Sequence, residues 1–309
     1  MVKAPSRRGA ALFVVLLFSA FLAGLAASAM RTSLSGVRAA AVFADVMRAD
    51  ELGRGAGDIL AYHLTTAGVS AKRGGRIEMR FAGADIVIDY LSESARVDVN
   101  LAPVELLAAL LAAAGGDPAV VDATADRITR FRAAKAREAA ALTPAVNPSG
   151  LAAITAQLNA IRPSGTASVP PLAIGDIGEV AGAWGLPDGL ARRVLPSLTL
   201  SNGTAKVDPV LADRLVVAAL VGADERVDDY LARRQQGFVN KDSALDLLPI
   251  PARTFVDFAD SAAVRAIVRV IVAHRLERRY EMVLAPPAVQ GAVAARDAVP
   301  VVVSWRKLP

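Results

Sequence analysis

The sequence predicts an α+β fold: a long N-terminal helix packed on an antiparallel sheet, with a large all-helical insertion containing helix-hairpin-helix-like repeats. Three observations predict it. An uncharged stretch from Ala10 to Met30 passes directly into a segment of helical periodicity. Alternating, β-branched segments lie at both ends of the remainder, before Asn100 and after Thr254. Between them the chain reads as helices, and one unit of it occurs twice.

As a helix, Ala10 to Met30 would be roughly 31 Å long, which matches a hydrocarbon core of about 30 Å. Lys3, Arg7 and Arg8 precede it, so the N-terminus is expected to stay in the cytoplasm while everything after Arg31 crosses. Ala27, Ser28 and Ala29 have the form of a signal-peptidase site, and Ser6, Arg7 and Arg8 faintly match a twin-arginine signal. Two features oppose a discarded signal. Apolar h-regions run about 7–15 residues, shorter than this one. The helical pattern also continues, with Leu34, Val37, Ala41, Ala44 and Met47 on one stripe and Arg38, Asp45 and Arg48 off it. One helix is therefore expected to begin in the membrane and leave it, fraying around Gly53, Gly55 and Gly57 or persisting through Ile59 and Leu64.

Gly68 to Gly75 reads as loop. RIEMRF and ADIVIDYL then alternate as strands do, with Gly83 as the turn between them. After Asn100 come the helical segments PVELLAALLAAA, PAVVDATADRITRFRAAK, GLAAITAQLNAI, IGDIGEVAGAW, DGLARRVLPS, ADRLVVAALV and RVDDYLARRQ. The Pro/Ser/Gly-rich loops TPAVNPSG and RPSGTASVPP interrupt them. VRAIVRVIVAHRL, RRYEMVLAPP and VPVVVSWRK return to β texture. Strands at both ends are expected to share one sheet around the insertion.

The repeat aligns ARVDVNLAPVELLAALLAAAGGD, from Ala95, with AKVDPVLADRLVVAALVGAD, from Ala205. Each copy is a short extended Val-Asp segment, a helix with aliphatic residues on its inner face, a glycine turn, and a second helix ending in arginine. That is a helix-hairpin-helix unit.

A basic leader ending in glycine, followed at once by an apolar helix that becomes amphipathic, resembles the N-terminus of the type IV pilin and type II secretion pseudopilin families. The resemblance implies a pilin-like head and cleavage by a prepilin peptidase after Gly9, leaving Ala10 as the new terminus. Most pseudopilins have glutamate where this chain has Val14. That departure is the habit of the minor pseudopilin K family (general secretion pathway protein K), whose head carries a large helical insertion with an extended-segment-then-helix signature. Asn100, Ala102 and Pro103 match the signature, Leu101 replaces its usual threonine, and the second copy keeps only Ala212 clearly. IGDIGEVAGAWGLPDGLARRVLPSLTL and the closing VSWRK extend the resemblance over most of the chain.

On this reading residues 1–9 are a leader, 10–30 the membrane part of the helix, 31–100 the first part of the head, 101–250 the helical insertion and 251–309 the C-terminal strands of the head. The implied function is a minor pseudopilin that starts and caps a periplasmic pseudopilus, with Val14 suiting a subunit that has none above it. Its partners would be the other minor pseudopilins, the major pseudopilin, the prepilin peptidase, the inner-membrane assembly platform and membrane lipid. Its place would be the inner membrane, single-pass, with the bulk in the periplasm.

The rival function is a membrane-anchored, periplasmic DNA-binding protein, because helix-hairpin-helix turns grip phosphate with backbone amides. The turns here read GGDP and GADER, so Asp117, Asp224 and Glu225 would repel phosphate and Pro118 removes an amide. No nucleic acid is expected. The net charge of +5 comes from scattered arginines and points to no polyanion. Among 309 residues there is no cysteine and only two histidines, His63 and His274, and no nucleophile elbow, zinc motif or P-loop. No enzyme is expected, and no cofactor is required. Calcium is the one ion to consider: Asp224, Glu225, Asp228 and Asp229 set two acidic pairs four residues apart, and the family resemblance implies calcium binding without aligned ligands. A solvated helix face balanced by Arg226, Arg233 and Arg234 is the simpler account.

Overall fold

The computed structural model describes residues 7–66, 73–142, 174–222, 224–238, 240–272, 276–286 and 299–309. In chain order the elements are α1 (Arg7–Thr66), β1 (Gly74–Phe81), β2 (Ala84–Ser92), β3 (Val97–Asp98), α2 (Val104–Ala113) and α3 (Pro118–Leu142). Then come α4 (Val180–Trp184), α5 (Asp188–Val194), β4 (Leu198–Thr199), α6 (Arg214–Val221), α7 (Asp224–Gln236) and α8 (Lys241–Leu245). The chain closes with β5 (Val264–Val272), β6 (Leu276–Ala285) and β7 (Val301–Leu308). The segments GLAAITAQLNAI, TPAVNPSG and RPSGTASVPP, and His274, lie outside the described residues.

Sheet order is β1-β2-β5-β6-β7, antiparallel throughout. Strands from both ends of the chain thus build one sheet, and the helices lie between β2 and β5. Period-two alternation explains the packing. Ile86 and Ile88 of β2 and Val264, Val268 and Val270 of β5 all turn inward to bury against α1, with Tyr280, Met282 and Leu284 of β6 beside them. The β1–β2 turn needs two left-handed residues, Ala82 at φ 51° and Gly83 at φ 74°, the geometry that matches strand twist in a two-residue hairpin.

α1 is one unbroken helix of 60 residues, about 90 Å long. It does not fray at Gly53, Gly55 and Gly57. Only its second half meets the sheet, along Ala49, Ala56, Leu60, Ala61 and Leu64. The expected stripe is corrected here: Ala41, Ala44 and Met47 are exposed, because the sheet reaches no further back than Arg48, whose guanidinium donates to the Ala82 carbonyl in the β1–β2 turn. At the other end His63 lies 3.1 Å from the Tyr90 hydroxyl. β2 therefore runs along α1 away from the apolar stretch. The helical block leaves the sheet after Ser92 and returns at Val264, at the end farthest from that stretch.

The block has its own core, and the repeat is visible in it. Val97 and Asp98 in the first copy match Val207 and Asp208 in the second, and all four are buried. Leu106, Leu107, Leu110 and Leu111 of α2 match Val216, Val217, Leu220 and Val221 of α6, again all buried. α2 packs directly on α6, so the two copies bury each other's apolar faces. Each such side chain stabilises the core by about 1.5–3 kcal/mol. An arginine on each second helix does the same task, although only Arg234 ends its helix as expected, since α3 runs ten residues beyond Arg132. Arg132 donates to the carbonyls of Val99 and Ala102 at 2.7 and 2.8 Å, and Arg234 to those of Pro209 and Ala212 at 3.4 and 2.5 Å. Each fastens the entry loop of its own copy.

Candidate assembly site

Leu12–Met30 is a 19-residue stretch of α1 with mean hydropathy 2.4 and no part of it buried. It is the one helix among the described residues long and apolar enough to cross a membrane. Gly9 and Ala10 belong to the first turns of α1, whereas residues 1–6 lie outside the described residues. Val14 is 61% exposed, among the equally exposed Phe13 and Val15. Beyond the apolar stretch, exposed hydrophobic residues persist on the helix, with Val42, Met47 and a 66% exposed Phe43.

The junction of α1 with the sheet is made by absent side chains. A Cβ at Gly53 would stand 2.7 Å from the Tyr280 ring, and one at Gly57 3.0 Å from Val302. A Cβ at Gly55 would meet nothing within 4 Å. The Tyr280 ring stacks on Trp305 with centroids 4.8 Å apart, and its hydroxyl donates to Asp50 of α1 at 2.6 Å. Lys307 reaches the same carboxylate at 3.3 Å. The Tyr280 hydrogen bond and the Lys307 ammonium hold the Asp50 carboxyl below its ordinary range, and burial with Asp50 opposite pushes the Tyr280 hydroxyl up.

Two ionic clusters tie the helical block to the sheet. Glu93, fully buried, meets Arg265 of β5 in a two-pronged contact at 2.8 and 3.1 Å, meets Arg96 at 3.1 Å, and accepts from the Thr199 hydroxyl of β4. Arg265 continues to Glu281 of β6 at 3.2 Å, and Glu281 to Arg306 of β7 at 2.9 Å. Burial pushes the Arg265 guanidinium down, but the hydrogen bonds and charge of Glu93 outweigh it and leave its pKa raised. The second cluster is Arg73, ahead of β1, with Asp208 at 2.5 Å and Asp260 at 3.1 Å. Burial pushes the Asp208 carboxyl up against the pull of Arg73. Asp98, its counterpart in the first copy, is likewise pushed up by burial while accepting from the backbone amides of Asn100, Leu101 and Gly203.

The hairpin turns are already engaged. The Gly115 and Gly116 amides donate to Ala112 and Leu111 carbonyls, and Asp117 accepts from the Ala119 amide at the start of α3. Of the acidic residues on α7, Asp228 pairs with Arg214 at 2.5 Å and Asp229 with Arg233 at 3.2 Å, while Asp224 and Glu225 occupy its first turn. Among the described residues no group of three His, Asp or Glu side chains is placed to hold a metal ion. Sequence reasoning missed Glu93, Arg265 and Asp208 as the residues joining block to sheet. A clue was present in the paired Val-Asp segments, since an aspartate retained in both copies beside a valine belongs to a structural turn.

The chain matches no family profile and no curated protein sequence. Among solved structures it is similar to one described as the GspK-GspI-GspJ complex from the enterotoxigenic Escherichia coli type 2 secretion system. That match has a TM-score of 0.45 and 14% identity, covering 85% of this chain and 94% of that chain.

Proposed function

We propose that the protein is a minor pseudopilin of a type II secretion system, cut after Gly9, anchored by residues 10–30 in the inner membrane and placed at the tip of a short periplasmic fibre. The observation that carries the reading is α1 itself, one helix whose stretch Leu12–Met30 is apolar and exposed and whose second half is the backbone of an antiparallel-sheet head. Such a helix is an anchor and an assembly element at once. A soluble periplasmic domain has no use for it, and a plain anchor needs no continuous helix of that length.

Two further features favour the tip. Val14 offers no carboxylate for the buried N-terminal amine of a subunit above, and an unpaired charge in an apolar bundle costs several kcal/mol. The helical block sits at the end of the head farthest from the apolar stretch, where a subunit stacked above would have to lie. On this reading the partners are other minor pseudopilins. The reading involves no catalysis and calls for no cofactor.

N-terminal sequencing of the membrane-extracted protein tests the first part of the reading. Ala10 as the terminus supports it, Met30 would indicate a removed signal, and Met1 an unprocessed anchor. Labelling the head and imaging isolated fibres tests the second part. One label at the distal end of each fibre is the expected result, and label spaced along the shaft refutes a tip role.

A further inference from the structure

The two edges of the sheet are built differently. β1, at one end, carries Arg76, Glu78 and Arg80 at alternate positions, the charges by which natural edge strands discourage pairing. β7, at the other end, opens with Val301, Val302 and Val303 and shows Trp305 before its first charge at Arg306, and all four apolar residues are exposed. Its ladder to β6 is interrupted once, by an extra residue at Val303, and no described strand pairs its outer side.

Open space adjoins β7 on both faces of the sheet. On the face turned away from α1, a groove of about 500 Å³ passes over Arg265, Glu281 and Val283 and separates Ser304 and Arg306 from Ile177 and Ser201 of the helical block. A second, of about 450 Å³, lies between Val299–Val302 and the Gly57, Ala61 and Tyr62 face of α1. Tyr62 is 70% exposed there. The valines that open β7 thus adjoin Ala61 and Tyr62 on α1. At the far end Arg306, 59% exposed on its side chain, shares its acidic partner Glu281 with Arg265. A carboxylate arriving along the edge would find a cation with capacity to spare.

We propose that β7 receives an extended segment of a neighbouring subunit, which adds to the sheet as a sixth strand and presents an acidic side chain to Arg306. This inference rests on the pseudopilin reading, since it is α1 that brings neighbours alongside. An edge whose backbone donors and acceptors are paired with no other strand among the described residues selects an extended chain over a helix. Lipid is excluded by distance, because Gly53, the α1 residue facing Trp305, lies roughly 35 Å up the helix from Met30. A second copy of this chain pairing β7 with β7 antiparallel is excluded by symmetry. The two-fold axis would stand perpendicular to the sheet and send the two α1 helices in opposite directions, which one membrane does not allow.

The test uses the full-length protein, in detergent and in isolated fibres. Hydrogen exchange is followed over Val301–Trp305, with a photocrosslinking side chain at Val301 in one sample and at Phe43 of α1 in another. The expected result is exchange over β7 slowed by about tenfold or more in fibres, β1 unchanged, and a Val301 adduct that mass spectrometry maps to an extended segment of another pilin-like subunit. Adducts at Phe43 with unchanged β7 exchange would overturn the strand-addition proposal and leave the pseudopilin reading standing. A Val301 adduct to a second copy of this chain would overturn the occupant. Adducts at neither position would remove both readings.

Discussion

Replacing Gly53 by alanine tests how α1 meets the sheet. The added Cβ would stand 2.7 and 2.8 Å from two carbons of the Tyr280 ring and 3.2 Å from Trp305. The ring cannot step aside cheaply, because it is buried, stacked on Trp305 and bonded to Asp50. Overpacking of this kind costs about 1–3 kcal/mol, and the gain from alanine over glycine in a helix interior is about 0.5–1 kcal/mol. At mid-range the net is a loss of about 1 kcal/mol, or roughly 2–4 °C in Tm for a protein of this size. Gly55→Ala supplies the contrast. With nothing within 4 Å of its Cβ, it receives the helix gain alone and should raise stability by about 0.5–1 kcal/mol. Urea melts of the detergent-extracted protein, followed by circular dichroism, measure both. Opposite signs at two glycines one residue pair apart are the signature of a docked face. If Gly53→Ala proved neutral or stabilising, or Gly55→Ala proved the more harmful, α1 would not sit on the sheet in this rotation.

If a prepilin peptidase cuts after Gly9, Gly9→Leu should obstruct its approach to the backbone, and intact-mass measurement should find residues 1–9 still attached; Ala10 at the terminus of that variant would refute a prepilin peptidase as the enzyme that cuts there. Glu93→Ala leaves Arg265 buried with Glu281 alone and Thr199 without its acceptor, a change expected to cost about 3–5 kcal/mol in a denaturant melt. Asp50 has a folded pKa below its ordinary 3.8, so its contribution is present above that value and is lost as pH falls through the folded value. The stability difference between the native protein and Asp50→Asn should accordingly be constant near neutrality and shrink below about pH 4; a constant difference down to pH 2 would refute the linkage. Because Asp228 and Asp229 are paired with arginines, calcium titration should leave the Tm unchanged, and a calcium-dependent rise abolished by Asp228→Asn would place an ion on α7.

The parts of the fold that follow a single period were legible in the sequence. Alternation at β2 and β5, the i,i+3,i+4 spacing of Leu106, Leu107, Leu110 and Leu111, and the glycine turn at Gly83 each express a local rule, and each element appears where that rule places it. What the sequence misjudged depended on partners. Ala41, Ala44 and Met47 form an apolar stripe by spacing, but whether it is covered depends on where the sheet stops, and the sheet stops at Arg48. Gly53 and Gly57 look like breaks because glycine weakens an isolated helix. In the protein they are the positions where the sheet comes closest. The ion network at Glu93 was invisible for a similar reason, since its members are drawn from β4, β5 and the end of β2 and no window of sequence contains them together.

The placement of these ion pairs bears on assembly as well as on stability. The helical block touches the sheet chiefly through buried charge, at Glu93 with Arg265 and at Asp208 with Arg73, while its apolar core is separate from that of the head. Two apolar cores in contact can slide with little change in energy. A fully buried carboxylate in a two-pronged contact with an arginine has one satisfied geometry and a high cost elsewhere. Charge at the junction thus fixes the angle at which the block stands on the head, and that angle is the property on which the proposed tip role would depend. The conservative change Arg265→Lys separates this role from simple adhesion. It keeps the charge but loses the two-pronged contact, so the block would remain attached while its angle loosened. Small-angle scattering should then report a broader shape distribution at nearly unchanged melting temperature. A variant that lost stability without broadening would show that the pair acts as adhesive rather than as a brace.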